Sequence, residues 1–298
     1  MSPTPKFDLK KYLNKWQKKV NKTLDDVLPP EDEYPETIHK AMRYSVFAGG
    51  KRVRPVLCAA ACEAVSGDPD LTLRTGAAIE MIHTYSLIHD DLPAMDDDDM
   101  RRGKATCHKN FGEAAAILAG DALLTEAFGV VVKDPKLDPW LKNVVIAEIV
   151  QAAGVKGMVG GQVVDMEKEG SKFDLADVDY IHEHKTAAMI RMSVIVGAII
   201  GGANEDDLDA LREYGTKLGL GFQVKDDVLN VTGGKDLGKG VGTDEERGKA
   251  TYPAAAGLDL AKAKADELCG DAIMAIASFS SKAEPLRAVA KYVSEREN

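Results

Sequence analysis

Two pairs of adjacent aspartates, each late in a long apolar run, are the residues whose type and spacing could do chemistry. The stretch from Ile88 to Asp99 reads IHDDLPAMDDDD and puts six carboxylates, Asp90, Asp91 and Asp96 to Asp99, within ten residues. Carboxylates gathered this densely repel one another unless cations sit among them. All-oxygen ligation suits Mg²⁺, which keeps several waters and shares carboxylates with substrate phosphates. The glycine and terminal glutamate of an EF-hand loop are missing. Farther along, Phe222 to Asn230 reads FQVKDDVLN and again carries adjacent aspartates, Asp226 and Asp227. Asp226 and Asn230 are four apart and share a helix face. Two apolar helices each ending in Asp-Asp suggest facing carboxylate walls around a metal-bridged diphosphate.

Basic groups should then surround the far phosphates. They occur at Gly49-Gly50-Lys51-Arg52-Val53-Arg54-Pro55, at Arg101-Arg102-Gly103-Lys104 just after the acidic run, and at Lys185. The arginine fork suits diphosphate oxygens, whereas lysine acts as a point charge. A solvated acidic helix end, or an acidic helical protein that binds Mg²⁺ or Ca²⁺ without chemistry, would leave these basic clusters unexplained.

The elements that must position these groups are helical. The 298 residues are 45% hydrophobic and only 6% aromatic, enough for a large core and a poor mix for an all-β protein. Hydrophobic periodicity predicts helices near 8–27, 35–47, 53–66, 71–96, 113–132, 140–167, 176–201, 205–230, 253–279 and 283–296. No repeat and no linker divides the chain, so one all-α domain over 1–298 is expected. An ideal helix through 71–96 would turn Asp96 off the face of Asp90, and Pro93 can break it there. The glycine-rich segment Thr232–Tyr252 interrupts the pattern and reads as a lid, with Lys239 and Lys249 available to cover a phosphate. It lacks both the Walker spacing and the strand that a dinucleotide fingerprint needs.

Net charge is −10, which argues against a nucleic-acid coat. Four scattered cysteines predict free thiols and a reducing, cytoplasmic setting. The first residues lack an apolar signal core. The apolar stretch Met192–Ala203 is shorter than the ~20 residues of a bilayer span, so no stable membrane insertion is expected. The lysine-rich first helix reads as a solvated face over the apolar stripe of Leu9, Leu13, Trp16, Val20 and Leu24.

Taken together, GGKRVRP, HTYSLIHDDLPAMDDDDMRRG, GGQVVDM, HKT, FQVKDD and GKATYP resemble the trans-isoprenyl diphosphate synthases, most closely the bacterial-type farnesyl diphosphate synthases. The resemblance runs from Gly49 through Pro253. It implies an all-α bundle of about ten or more helices around a central cavity, a homodimer, and three Mg²⁺ ions per site. It also implies condensation of isopentenyl diphosphate with dimethylallyl or geranyl diphosphate to farnesyl diphosphate. Asp90 and Asp96, assisted by Asp91, match ligands of two ions and Asp226 that of a third. Arg101, Lys185 and Lys239 match the grip on the allylic diphosphate; Lys51, Arg54, His83 and Arg102 match the metal-free pocket for isopentenyl diphosphate. Thr186 and Gln223 match polar residues near the reacting carbons and departing oxygen, and Gln162 and Asp165 lie near the site. Asn230 stands where the second motif usually ends in Asp, which weakens the expected third-metal site.

Tyr85 lies five residues before Asp90, roughly 7–8 Å down a helix. The resemblance implies that an aromatic there floors the tail pocket at C15. The alternatives are a geranylgeranyl diphosphate synthase of the same fold and a non-catalytic regulatory subunit of a prenyl synthase. Tyr85 speaks against the first and the intact aspartates, Lys185 and arginines against the second.

Overall fold

A computed structural model describes residues 7–233 and 243–297. Fifteen α-helices are present among them. The first six are α1 (Leu9–Val27), α2 (Glu36–Val46), α3 (Val53–Ala64), α4 (Leu73–Asp90), α5 (Cys107–Phe111) and α6 (Glu113–Val132). Next come α7 (Pro139–Ala153), α8 (Met158–Lys168), α9 (Leu175–Ile181), α10 (Ala188–Ile200) and α11 (Glu205–Thr232). The last are α12 (Thr243–Glu246), α13 (Tyr252–Ala256), α14 (Leu258–Ala275) and α15 (Glu284–Glu295).

The middle of the bundle is α10, whose sequence AMIRMSVIVGAII is apolar on almost every side. Met189, Met192 and Val196 join the core formed with α4, α6 and α7. Ile190, Val194, Ile195 and Ala198 join the core formed with α3, α11, α14 and α15. A helix apolar all round has no solvent face, so it sits inside. Polar caps begin several outer helices: Asp8 on α1, Asp138 on α7 and Asn204 on α11 each accept a backbone N–H of the first turn.

The helical periodicity misplaces the breaks. The helix expected over 71–96 ends at Asp90, because the chain turns back on itself: Asp96 N donates to Asp90 O at 2.8 Å, and Asp97 takes a left-handed φ of 49°. The helix expected over 140–167 splits at Gly154–Gly157 into α7 and α8, and that over 253–279 splits at Gly257 into α13 and α14. Between α9 and α10 the helix continues through one π-turn, His182–Ala187.

A two-stranded hairpin, β1 (Met100–Arg101) with β2 (Lys104–Ala105), was not signalled by any Asn-Gly or Asp-Gly pair. Its central residues Arg102 and Gly103 both have positive φ, 53° and 75°, the geometry of a type I′ turn. Arginine rarely takes that conformation; here its guanidinium donates to Gly49 O.

Two helical stretches, Glu113–Val132 and Pro139–Lys168, have the length and apolarity of membrane spans by composition alone. In α6 the face carrying Ala116, Ala119, Leu123, Ala127 and Val131 is buried in the core.

Candidate active site

A cavity of about 1090 Å³ opens between α3, α4, α8, the π-turn and α11. Most of the sequence-predicted site residues meet on its wall: Lys51, Arg54 and His83; Tyr85, Asp90 and Arg102; and Lys185, Thr186, Gln223 and Asp226. Of the two aspartate pairs, Asp90 from α4 and Asp226 from α11 line it, and Asp91 and Asp227 do not.

Asp90 makes no side-chain hydrogen bond among the described residues. Withdrawal from water raises its pKa above the ordinary carboxylate value, with Lys185 opposing and Asp96 adding to the rise. Asp226 is raised in the same direction by desolvation, with Arg296 opposing. An anionic oxygen pair held at a cost inside a cavity is the donor set a hard divalent cation relieves. Asp90 and Asp226 therefore fit Mg²⁺, and Asp96 is folded back beside Asp90.

Asp91, Asp96 and Asp98 are matched by cations, as Asp226 is by Arg296. Asp91, 3% exposed, accepts two bonds from Arg101 Nε at 2.7 and 2.9 Å. The structure thus places Asp91 and Arg101 against each other behind the cavity wall, since a buried carboxylate needs a counter-charge. Asp96 accepts from Lys249 Nζ at 2.8 Å, and Asp98 from Arg247 at 2.7 Å. The type I′ turn sends Arg102 to the cavity while its neighbour Arg101 points at Asp91. A separate group, Asp97, Asp99 and His108, brings ligand-type atoms within 4.8 Å of one another.

The basic loop 47–52 is set by Arg52, which was not singled out in the sequence. Arg52 is buried with φ 54° and donates to Asn21 Oδ1 (2.9 Å), Glu80 Oε1 (2.8 Å) and Val46 O (2.6 Å). This anchor presents Lys51, which bonds Tyr292 Oη at 2.7 Å, and Arg54, whose buried Nε has no hydrogen-bond partner among the described residues. Burial and the surrounding guanidiniums of Arg54 and Arg102 push the His83 pKa well below the ordinary value, so His83 is neutral. An orphaned guanidinium donor, a neutral imidazole and two further cations form a cradle for an anion without metal.

The π-turn adds Lys185 and Thr186 to the same lining. Lys185 donates to Asp165 at 2.6 Å, and Thr186 to Gln223 Oε1 at 2.7 Å. Gln223 donates in turn to Asp227, which also accepts from Tyr252 N at 2.8 Å and faces His182 Nε2 at 3.1 Å. A π-turn commonly marks a functional site, because its extra residue re-aims side chains. Gln162 joins the lining with an unpartnered buried Nε2. Lys239 lies outside the described residues. Reading the sequence missed Arg247 and Arg296, and left Lys249 only as a lid lysine. Arg296 donates to Asp226 from the end of α15, about seventy residues away, and no local motif announces it.

An all-α bundle whose central cavity is lined by both carboxylates and a cluster of basic groups fits a metal-dependent enzyme acting on diphosphates. The chain belongs to the polyprenyl synthetase family, whose model matches residues 35–291, and it is a prenyltransferase. It is 47% identical over 302 residues to the heterodimeric geranylgeranyl pyrophosphate synthase large subunit 1 of Arabidopsis thaliana, covering 98% of this chain and 80% of that one. Among solved structures, an FPP/GFPP synthase from Zymomonas mobilis superposes with a TM-score of 0.86 at 37% identity, covering 96% of this chain and 98% of that one. The geranylgeranyl pyrophosphate synthetase from Pyrococcus horikoshii Ot3 gives 0.89 at 32%, covering 97% and 98%.

Proposed function

We propose that this enzyme joins isopentenyl diphosphate to an allylic diphosphate, ionising the allylic partner and releasing diphosphate. The observation that carries this reading is the shared cavity: Asp90 and Asp226 line it together with Lys51, Arg54, His83 and Arg102. Two diphosphates of like charge can then lie head to tail, each with its own counter-charges. Mg²⁺ bound at Asp90, Asp96 and Asp226 would supply Lewis-acid stabilisation of the leaving diphosphate. Lys185 sits beside the departing oxygens and adds a fixed charge where negative charge grows. Thr186 and Gln223 form a fixed dipole chain at the reacting carbons. The apolar wall of Met158, Val159, Val163, Met166 and Phe222 excludes water from the cation.

Product length has two readings. The named geranylgeranyl synthases among its relatives support a C20 product. One observation favours C15: Tyr85 lines the cavity, whereas Met81 and Ile82, a turn deeper, are fully buried and outside the lining. Labelled isopentenyl diphosphate, supplied with dimethylallyl, geranyl or farnesyl diphosphate and Mg²⁺, decides this by product size. Absence of diphosphate release in all three mixtures would sink the catalytic reading and revive a regulatory subunit.

Association as a homodimer is part of the proposal. The reading rests on the family resemblance, and the large apolar side chains left exposed on two neighbouring helices, Ile117 and Leu118 on α6 and Trp140 and Val150 on α7, are consistent with it. A cytoplasmic setting is also proposed, supported by four free, buried cysteines.

A further inference from the structure

We infer that Gly120 and His89 set the depth of the cavity by holding the Tyr85 ring in place, an inference that rests on reading Tyr85 as the cavity floor. Tyr85 and His89 are four apart on α4, so they stack along one face. Their rings meet edge to face, with centroids 5.7 Å apart and planes at 80°. Behind the imidazole is α6. His89 Nε2 lies 3.1 Å from Ile117 O. A carbonyl can only accept, so Nε2 carries the proton and donates it. Asp121 Oδ1 lies farther off, at 3.9 Å.

The imidazole reaches that carbonyl because residue 120 has no side chain. A Cβ there would lie 2.2 Å from His89 Nε2, 2.6 Å from Cδ2 and 3.0 Å from Cε1. All three distances are below contact, so any larger residue expels the ring from its seat. The His89 ring therefore stands between the α6 backbone at Gly120 and the Tyr85 ring, and both rings line the cavity. His89 is a positioning residue, because it acts on the product through Tyr85.

The stack gives opposite expectations for its two supports. In Gly120→Ala the methyl drives the imidazole off α6 toward the cavity that both rings line. The ratio of longer to shorter product then falls about two- to tenfold relative to the parent, the size of one lost or gained aromatic contact. In His89→Ala the Tyr85 ring loses its backing and swings down, and the same ratio rises about two- to tenfold. A ratio of products is indifferent to the overall rate, so a general loss of activity does not imitate either result.

Gly129→Ala on the same helix is the control, since its added Cβ meets only Glu126 Oε2 at 3.6 Å; it should keep the parental ratio. Tyr85→Ala is assayed alongside with isopentenyl diphosphate, geranyl diphosphate and Mg²⁺. Longer products from Tyr85→Ala with parental ratios from both His89→Ala and Gly120→Ala would overturn the inference alone. Parental products from Tyr85→Ala would remove the floor on which it rests. Should Gly120→Ala fail to fold by thermal melting, the His89→Ala ratio carries the decision.

Discussion

At the scale of single residues, a cavity wall is a set of decisions about charge and volume. Tyr85 decides volume. Its replacement by alanine opens a path toward Met81 and Ile82, and we expect the main product to lengthen by at least one isoprene unit, read by chromatography of the dephosphorylated alcohols. An unchanged product distribution would take the floor away from Tyr85. His83 decides charge. It is held neutral by burial and by Arg54 and Arg102, so its pKa lies below the 6.5 that an unfolded histidine keeps. As pH falls through about 6.5 the unfolded chain therefore takes up a proton that the folded one refuses, and stability drops. The fall in Tm between about pH 7 and about pH 5 should be shallower in His83→Gln than in the parent; equal slopes would show that His83 is not the refusing group. The aspartates and most cations of the wall were legible in the sequence because adjacent carboxylates beside an apolar run are rare without a purpose. Arg296 and Arg52 were not, since one arrives from the chain's far end and the other stands among the basic groups of GGKRVRP with nothing local to mark it as a buried anchor.

At the scale of elements, helical periodicity reads the stretches well and the interruptions poorly. The α6 limits at 113 and 132 fall where the pattern puts them. The ends of α4, the α7–α8 break and the π-turn do not, because they depend on backbone turns and glycines that apolar spacing does not encode. The π-turn also carries a tight tertiary contact. Gly161 on α8 rests directly on it: an added Cβ would lie 2.3 Å from Lys185 N and 2.8 Å from Lys185 Cα. Backbone cannot step aside as a side-chain tip can. Gly161→Ala should force α8 away from the π-turn, separating Asp165 from Lys185 and destabilising the fold by about 1–3 kcal/mol. The expected result is a lower Tm together with a kcat that falls more than the melting shift accounts for, because Lys185 moves. A variant with the lower Tm and parental kcat would show that the π-turn tolerates the displacement.

At the scale of the whole molecule, the acidity is concentrated. The two aspartate clusters supply eight of the carboxylates behind a net charge of −10, so an acidic protein can receive anionic substrates once cations invert the local sign. The protein sets its own cations against this charge: Lys249 and Arg247 at Asp96 and Asp98, Arg101 at Asp91, and Arg296 at Asp226. Asp90 lacks such a partner among the described residues and has its pKa raised by desolvation. The sign of the metal effect follows. A carboxyl raised above its unfolded value favours the folded state while protonated, and that contribution is lost as pH climbs through the raised value. Metal binds the ionised form, so it restores most where the loss is greatest. Mg²⁺ with inorganic diphosphate should therefore raise Tm more at about pH 7.5 than at about pH 5, approaching about 2.7 kcal/mol when ligand exceeds its Kd a hundredfold. Stripping the metal with a chelator should abolish the increment, and Asp90→Asn should shrink it and flatten its pH dependence. A Tm increment equal at both pH values in the parent would mean that Asp90 is ionised across the whole range, and that the cations of the wall already neutralise it.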